Sequence, residues 1–225
     1  MREHLLDCGA ELFAERGFKN VTVRDISAGA GANVAAVNYY FRDKMGLYRE
    51  IVEREIAVME ETTRQAMAAG GNARPDAQLR AYVRVFVERL RAPRVENHIQ
   101  QIMMREMADP TPMLDVIAAR VMRPRMDYLC GIIGRLMQRP PADPRVTNSA
   151  VSVQAQCLMC KTTPVLARMK MGFSYGAADT ARLADFITDF SLAAITSPAR
   201  APRARSPRAA SASRRAARTQ YPPTR

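Results

Sequence analysis

The chain has 225 residues, 48% hydrophobic and 25% charged, which suffices for a sizeable core in one large or two small domains and excludes general disorder. No leader-like run opens it and no apolar stretch reaches the roughly 18 residues of a membrane helix, so a cytoplasmic protein with no membrane partner is expected, its four cysteines reduced. The net charge of +12 excludes little, because residues 1–58 hold eight Lys and Arg against nine Asp and Glu, while residues 197–225 hold eight Arg and no acid.

Leu5, Gly9, Leu12 and Phe13 share one face of a first helix, which Gly17 ends. Thr22 stands three residues before Asp25, the spacing of a capping box, and opens a second helix with Ile26 and Ala30 turned inward. Gly29-Ala30-Gly31-Ala32 makes a tight turn, Asn33 caps a short third helix from Val34 to Tyr39, and Asp43 caps a fourth through Leu47, Ile51, Val52 and Ile56. Gly70-Gly71 and Pro75 mark a break. Beyond it Leu79, Tyr82, Val83, Phe86, Val87 and Leu90 repeat at three and four, an amphipathic helix.

Ile99, Ile102 and Met103 begin another helix that stops near Asp109-Pro110. Val116 to Met137 reads as a helix interrupted at Pro124. Residues 147–161 and 178–196 are two more, the last marked by Leu183, Phe186, Ile187, Phe190 and Ala194. No segment alternates as a strand does, so the fold class is all-α. The tail, 197–225, is Arg, Ala, Ser and Pro with Tyr221 as its only large apolar residue. It is expected to be disordered: a solubilising extension, or a sequence-independent grip on phosphates.

Two short helices joined by a small-residue turn form a helix-turn-helix, whose second helix enters the major groove N-terminus first. Val34, Ala35 and Ala36 are small enough for close approach to base edges, and a methyl there meets a thymine methyl. Asn33 and Asn38 offer the donor and acceptor pair that suits adenine. Tyr39, Lys44 and the Thr22 hydroxyl are placed to hold phosphates, which fix register without reading sequence.

These residues resemble the DNA-binding segment of TetR/AcrR-type transcriptional regulators. The shared features are Leu12-Phe13, Gly17-Phe18, Thr22, Asp25-Ile26, Ala30-Gly31, Tyr39-Tyr40-Phe41, and Lys44 with Leu47. The resemblance covers about 40 residues. MMREMADPTPMLDVI with RVMRP, and QAQCLMCKTTPVLARM, are similar to C-terminal domains of a CecR-like subset. What this implies is an all-α homodimer: a three-helix helix-turn-helix domain at 1–58, then a helical ligand-binding and dimerisation domain at 59–196. Asn33 to Tyr39 is then the recognition helix, with Thr22, Tyr39 and Lys44 on phosphates. Helices 147–161 and 178–196 form the dimer bundle. The function implied is ligand-relieved repression at a palindromic operator. Two departures stand out: almost nothing precedes the first helix, where many relatives carry a basic arm, so that arm is absent or the start misassigned. Gly9 replaces the usual alanine, which loosens that helix by up to about 1 kcal/mol.

Ten of the fourteen methionines lie from Met103 onward. Methionine adapts to irregular apolar shapes, so Tyr82, Phe86, Met103, Met107, Met126 and Met159 are read either as plain core or as a pocket for a hydrophobic effector. Arg105 would then pair with an anionic ligand, although Arg105-Glu106 is more simply a structural pair of charges. Cys157 and Cys160 share a helix face, but two thiols without further ligands read as buried apolar groups, and no metal or other cofactor is expected. No phosphate-binding glycine loop or nucleophile–histidine set suggests an enzyme. Two other readings remain: a non-specific DNA binder driven by the arginine tail, and a helical small-molecule binder that does not regulate transcription.

Overall fold

Apolar periods of three and four build helices throughout, and no strand occurs among the described residues, which are 1–91, 98–160, 169 and 177–197 of the computed structural model. The helices are α1 (Arg2–Arg16), α2 (Val23–Gly29), α3 (Val34–Phe41), α4 (Lys44–Gly70), α5 (Pro75–Arg91), α6 (His98–Ala108), α7 (Met113–Ile117), α8 (Arg123–Met137), α9 (Pro144–Met159) and α10 (Ala177–Thr196). The arginine tail lies outside the described residues, and so do most of the run after Cys160 and what was expected of them.

The interruption expected at Pro124 takes a specific form. A π-helical turn, Ala118–Met122, joins α7 to α8, and Pro124 falls in the first turn of α8. Proline lacks an N–H, and its ring collides with the carbonyl four residues back. Widening the preceding turn relieves that collision while the rod continues.

Two cores result. Leu5, Leu6, Phe13, Val21, Ile26, Val37, Phe41, Leu47, Tyr48, Ile51, Val52 and Ile56 fill the first, and the Tyr48 ring lies 4.9 Å from those of Phe13 and Phe18. The second gathers Leu79, Tyr82, Val83, Phe86 and Val87 of α5 with Leu129, Ile132 and Ile133 of α8, Val146 and Val153 of α9, and Ile187 and Ile195 of α10. The division expected after residue 58 does not describe this packing. Ile102, Met113, Ile117 and Val121 are buried in the first core, and α4 runs unbroken through 58 to reach the second core at Ala66. At 27 residues α4 is long enough to serve both.

Gly9 also differs from expectation. A Cβ there would stand 2.7 Å from Leu47 Cδ2 and 2.9 Å from Ile51 Cδ1. The glycine lets α1 lie close on α4, which offsets its low helix propensity. On α10 the apolar period splits into two stripes: Ala184, Ile187 and Ile195 are buried, while Phe186, Phe190 and Ala194 face solvent. The single face expected there is therefore two.

Against Tyr48 of the first core sits Glu106, 1% exposed. Tyr48 donates to its Oε1 at 2.5 Å, the Thr111 hydroxyl to Oε1 at 2.8 Å, and the Thr111 N–H to Oε2 at 3.0 Å. A buried carboxylate needs such donors, since without them the desolvation cost is unopposed. We expect Tyr48→Phe to lower unfolding free energy by about 1–3 kcal/mol in urea titrations. An unchanged midpoint and slope would show that this bond stabilises nothing.

Candidate DNA-reading surface

Two left-handed glycines shape the reading head. Gly17 (φ 79°) reverses the chain after α1, and Gly31 (φ 61°) turns it between α2 and α3. The Thr22–Asp25 capping box is complete: Asp25 N–H donates to Thr22 Oγ1 at 3.2 Å, and Thr22 N–H to Asp25 Oδ2 at 2.8 Å. The Thr22 hydroxyl also donates to Asp25 Oδ2 at 2.6 Å. These donors hold the Asp25 carboxyl below the usual carboxylate range. Asn33 Oδ1 accepts from Ala35 N–H at 3.0 Å and starts α3. Asp43 accepts from Gly46 N–H at 2.7 Å and starts α4.

Val37 and Phe41 anchor α3 in the first core. Asn33, Val34, Ala35, Asn38 and Tyr39 face outward, and Ala36 is half-buried. Tyr39 is 83% exposed, its ring edge-on to Tyr40 at 5.0 Å. A large aromatic projecting so far from a short helix contributes nothing to the core, and neither do the two asparagines. The surface presents two amides, three small apolar groups and a phenol, which is the chemistry of a groove-reading helix. Tyr40, itself 40% exposed, widens the aromatic edge; only its place in the Tyr-Tyr-Phe run hinted at this.

Two of the expected phosphate contacts have other work. Lys44 Nζ donates to the carbonyls of Phe18 at 2.9 Å and Val21 at 2.8 Å and lies 4.3 Å from the Phe18 ring centroid. Partial burial pulls its pKa down. It ties the chain between α1 and α2 to the start of α4, and two of its three N–H donors are spent there. The Thr22 hydroxyl proton is likewise engaged by Asp25. Tyr39 alone of the three is unencumbered by any such contact to the backbone or a carboxylate.

The seven expected effector residues do not form one pocket. Tyr82 and Phe86 are buried in the second core, their rings stacked at 4.4 Å, with the Tyr82 hydroxyl donating to Gln154. Met126 packs against the same core, whereas Met103 packs against the first. Met107 and Met159 are exposed, and so is Arg105, which donates to the Glu15 carbonyl. The reason is that α6 lies on α1 rather than beside α5. Arg105 and Glu106 have separate partners and are not a mutual pair. Arg105 lines an 80 Å³ notch beside Tyr48 and Asp109. A larger, open groove of 430 Å³ follows α5 past Arg80 and Arg84 to Leu192 and includes none of the seven.

Cys157 and Cys160 are buried, and burial pushes the Cys157 thiol up to about 12 and that of Cys160 upward as well. Both therefore stay protonated near neutrality, which disfavours metal binding through thiolates. No group of three or more metal-ligating side chains occurs among the described residues. Nor is any described helix long and apolar enough to cross a membrane.

Residues 5–51 match the model of the bacterial regulatory proteins of the tetR family, and residues 75–195 match the C-terminal domain of the HTH-type transcriptional dual regulator CecR. The chain belongs to the TetR family. Members of this family are DNA-binding transcriptional regulators and are not enzymes. It is 35% identical over 91 residues to the HTH-type transcriptional repressor KstR2 of Rhodococcus jostii, covering 40% of this chain and 44% of that protein. It is 35% identical over 52 residues to the regulator AcrR of Shigella flexneri, covering 23% and 24%. The aligned stretches thus span less than half of these relatives.

Solved structures of this TetR fold include the ketosteroid regulator KstR2 of Mycobacterium tuberculosis, with TM-score 0.61, 20% identity, and 88% and 95% of the two chains covered. A TetR-family regulator from Bordetella parapertussis gives 0.64 at 16% identity, covering 85% and 93%. Because Lys44 secures the reading head from within, Lys44→Met is expected to lower unfolding free energy by about 2 kcal/mol. Chemical denaturation measures this. A residue that only touched phosphate would leave stability unchanged.

Proposed function

We propose that this regulator is a homodimeric repressor of the cytoplasm that binds a palindromic operator through α3 and is released by a small-molecule effector held in its second half. The observation that carries the operator reading is the outward row Asn33, Val34, Ala35, Asn38 and Tyr39 on a helix whose opposite side is locked in the core. Ala36, half-buried, backs that row. Two such helices about 34–36 Å apart would meet successive major grooves. Repression is supported by the Rhodococcus relative, which is a transcriptional repressor. A hydrophobic effector is supported by the aromatic and aliphatic filling of the second core.

Dimerisation is favoured by the solvent-facing stripe of α10. Phe186 and Phe190, 64% and 58% exposed, stack at 6.1 Å, and Val151 and Leu158 of α9 are exposed as well. Clustered exposed apolar groups of this kind mark association surfaces, and a four-helix bundle with the symmetry mate of α9 and α10 would cover them.

The reading head is proposed to span about residues 1–58 in function, although its core draws on later helices. The test is a titration of labelled DNA from upstream of the gene, with excess competitor and physiological salt. Wild type is expected to give competitor-resistant binding. Asn38→Ala and Tyr39→Ala are expected to lose at least about tenfold in affinity with unchanged helicity and melting temperature. Wild-type affinity in both variants would sink the α3 assignment. Binding that vanishes on removing 197–225 or on adding competitor would favour the non-specific reading. Phe186→Glu is expected to halve the mass seen in sedimentation; an unchanged mass would move the interface elsewhere.

A further inference from the structure

Arg42, which follows α3 directly, holds a backbone conformation of φ 71° and ψ −46°. Side chains other than glycine rarely adopt it, because Cβ crowds the backbone there. The other described non-glycine residue with positive φ, Gln138, sits in the ordinary left-handed well at the end of α8, with φ 52° and ψ 46°. Arg42 lies outside even that well.

The neighbours hold the turn in this form. Phe41 is buried in the first core, and the Arg42 N–H donates to the Asn38 carbonyl at 3.0 Å. Asp43 caps α4 through the Gly46 N–H, and a Cβ on Gly46 would collide with the Phe41 carbonyl oxygen. The start of α4 thus abuts the end of α3, and the residue between them must absorb the strain. Glycine would absorb it without cost.

The Arg42 side chain does nothing for the fold in return. It is exposed and makes no hydrogen bond or ion pair among the described residues. Other arginines of the reading head differ: Arg2 pairs with Glu50, and Arg54 with Glu3. The position of Arg42 suits a different partner. At eight residues α3 is about 12 Å long, about the width of the major groove. A side chain just past its end therefore stands at the phosphate wall, next to the exposed rings of Tyr39 and Tyr40. The carboxyl end of a helix repels anions, and the last turn of α3 carries no basic residue to offset this. Residues 1–58 hold eight Lys and Arg against nine Asp and Glu, so each cation free to meet DNA counts.

We propose that Arg42 is a phosphate clamp of the reading head, its guanidinium gripping the DNA backbone where α3 leaves the groove. The proposal rests on the reading of α3 as the groove-reading helix. The planar fork of the guanidinium matches two oxygens of one phosphodiester. Such a contact fixes register and affinity without reading sequence. The strained turn aims the side chain outward, and the bound phosphate offsets what the strain costs.

The test uses the full chain, a labelled duplex from upstream of the gene and a scrambled duplex of the same composition. Affinity on both is read across a salt series, with melting temperatures, for wild type, Arg42→Gly, Arg42→Lys and Asn38→Ala. Arg42→Gly is expected to melt at or above wild type, because strain is relieved. It should lose about fivefold or more in affinity on both duplexes alike. Its slope of log affinity against log salt should be shallower by about 0.9 for each protomer bound. Arg42→Lys keeps the charge and should keep the slope. Asn38→Ala should lose affinity on the upstream duplex alone, with the slope unchanged. A wild-type slope in Arg42→Gly overturns the clamp, whatever the melting temperature does. Wild type that binds both duplexes equally sinks the operator reading, while the slope of Arg42→Gly still decides the clamp. If wild type binds neither duplex, both fall.

Discussion

The buried carboxylate of Glu106 is the contact that binds α6 and the start of α7 to the aromatic centre of the first core. It sits on α6, yet its donors come from α4 through Tyr48 and from the start of α7 through Thr111. Tyr48 in turn packs its ring against Phe13 and Phe18. One side chain thus ties the aromatic centre of the reading head to the helices leading into the second core. Arg105 to the Glu15 carbonyl and Lys19 to Asp109 reinforce the same seam from outside. Those two are exposed, so each contributes little. Glu106 is shielded from water, and any displacement of α6 must stretch or break its bonds.

How much of this was legible in the sequence follows from the range of each interaction. The caps were readable because a capping box or an asparagine cap closes within three residues. Thr22, Asp25, Asn33 and Asp43 all bond as their spacing requires. The π turn was foreshadowed by Pro124, again a local conflict. Long-range contacts were not legible. Lys44 looked like a free cation, but its partners are carbonyls of Phe18 and Val21, more than twenty residues earlier. The methionine pocket failed for the same reason: period alone does not say which core a helix joins, and α6 joined the first.

Gly9 shows the two ranges in conflict. Locally it is a poor helix residue. Across the α1–α4 contact it is the residue that leaves room for Leu47 and Ile51. A propensity scale sees the first effect only, because the second depends on a helix some forty residues away.

The same distinction explains where function shows itself. Through most of this fold a polar group in the interior has a partner: Glu106 has three donors, Thr188 donates to the Ala184 carbonyl, and Tyr82 to Gln154. Packing and hydrogen bonding have been resolved together, as stability demands. Against that background two outward surfaces stand apart. Asn38 and Tyr39 project from a helix whose anchoring is already complete. Phe186 and Phe190 form a second apolar stripe on a helix whose first stripe already fills the core. Neither arrangement improves the isolated chain, and each suits something the chain lacks: polar base edges for the first, an apolar face for the second.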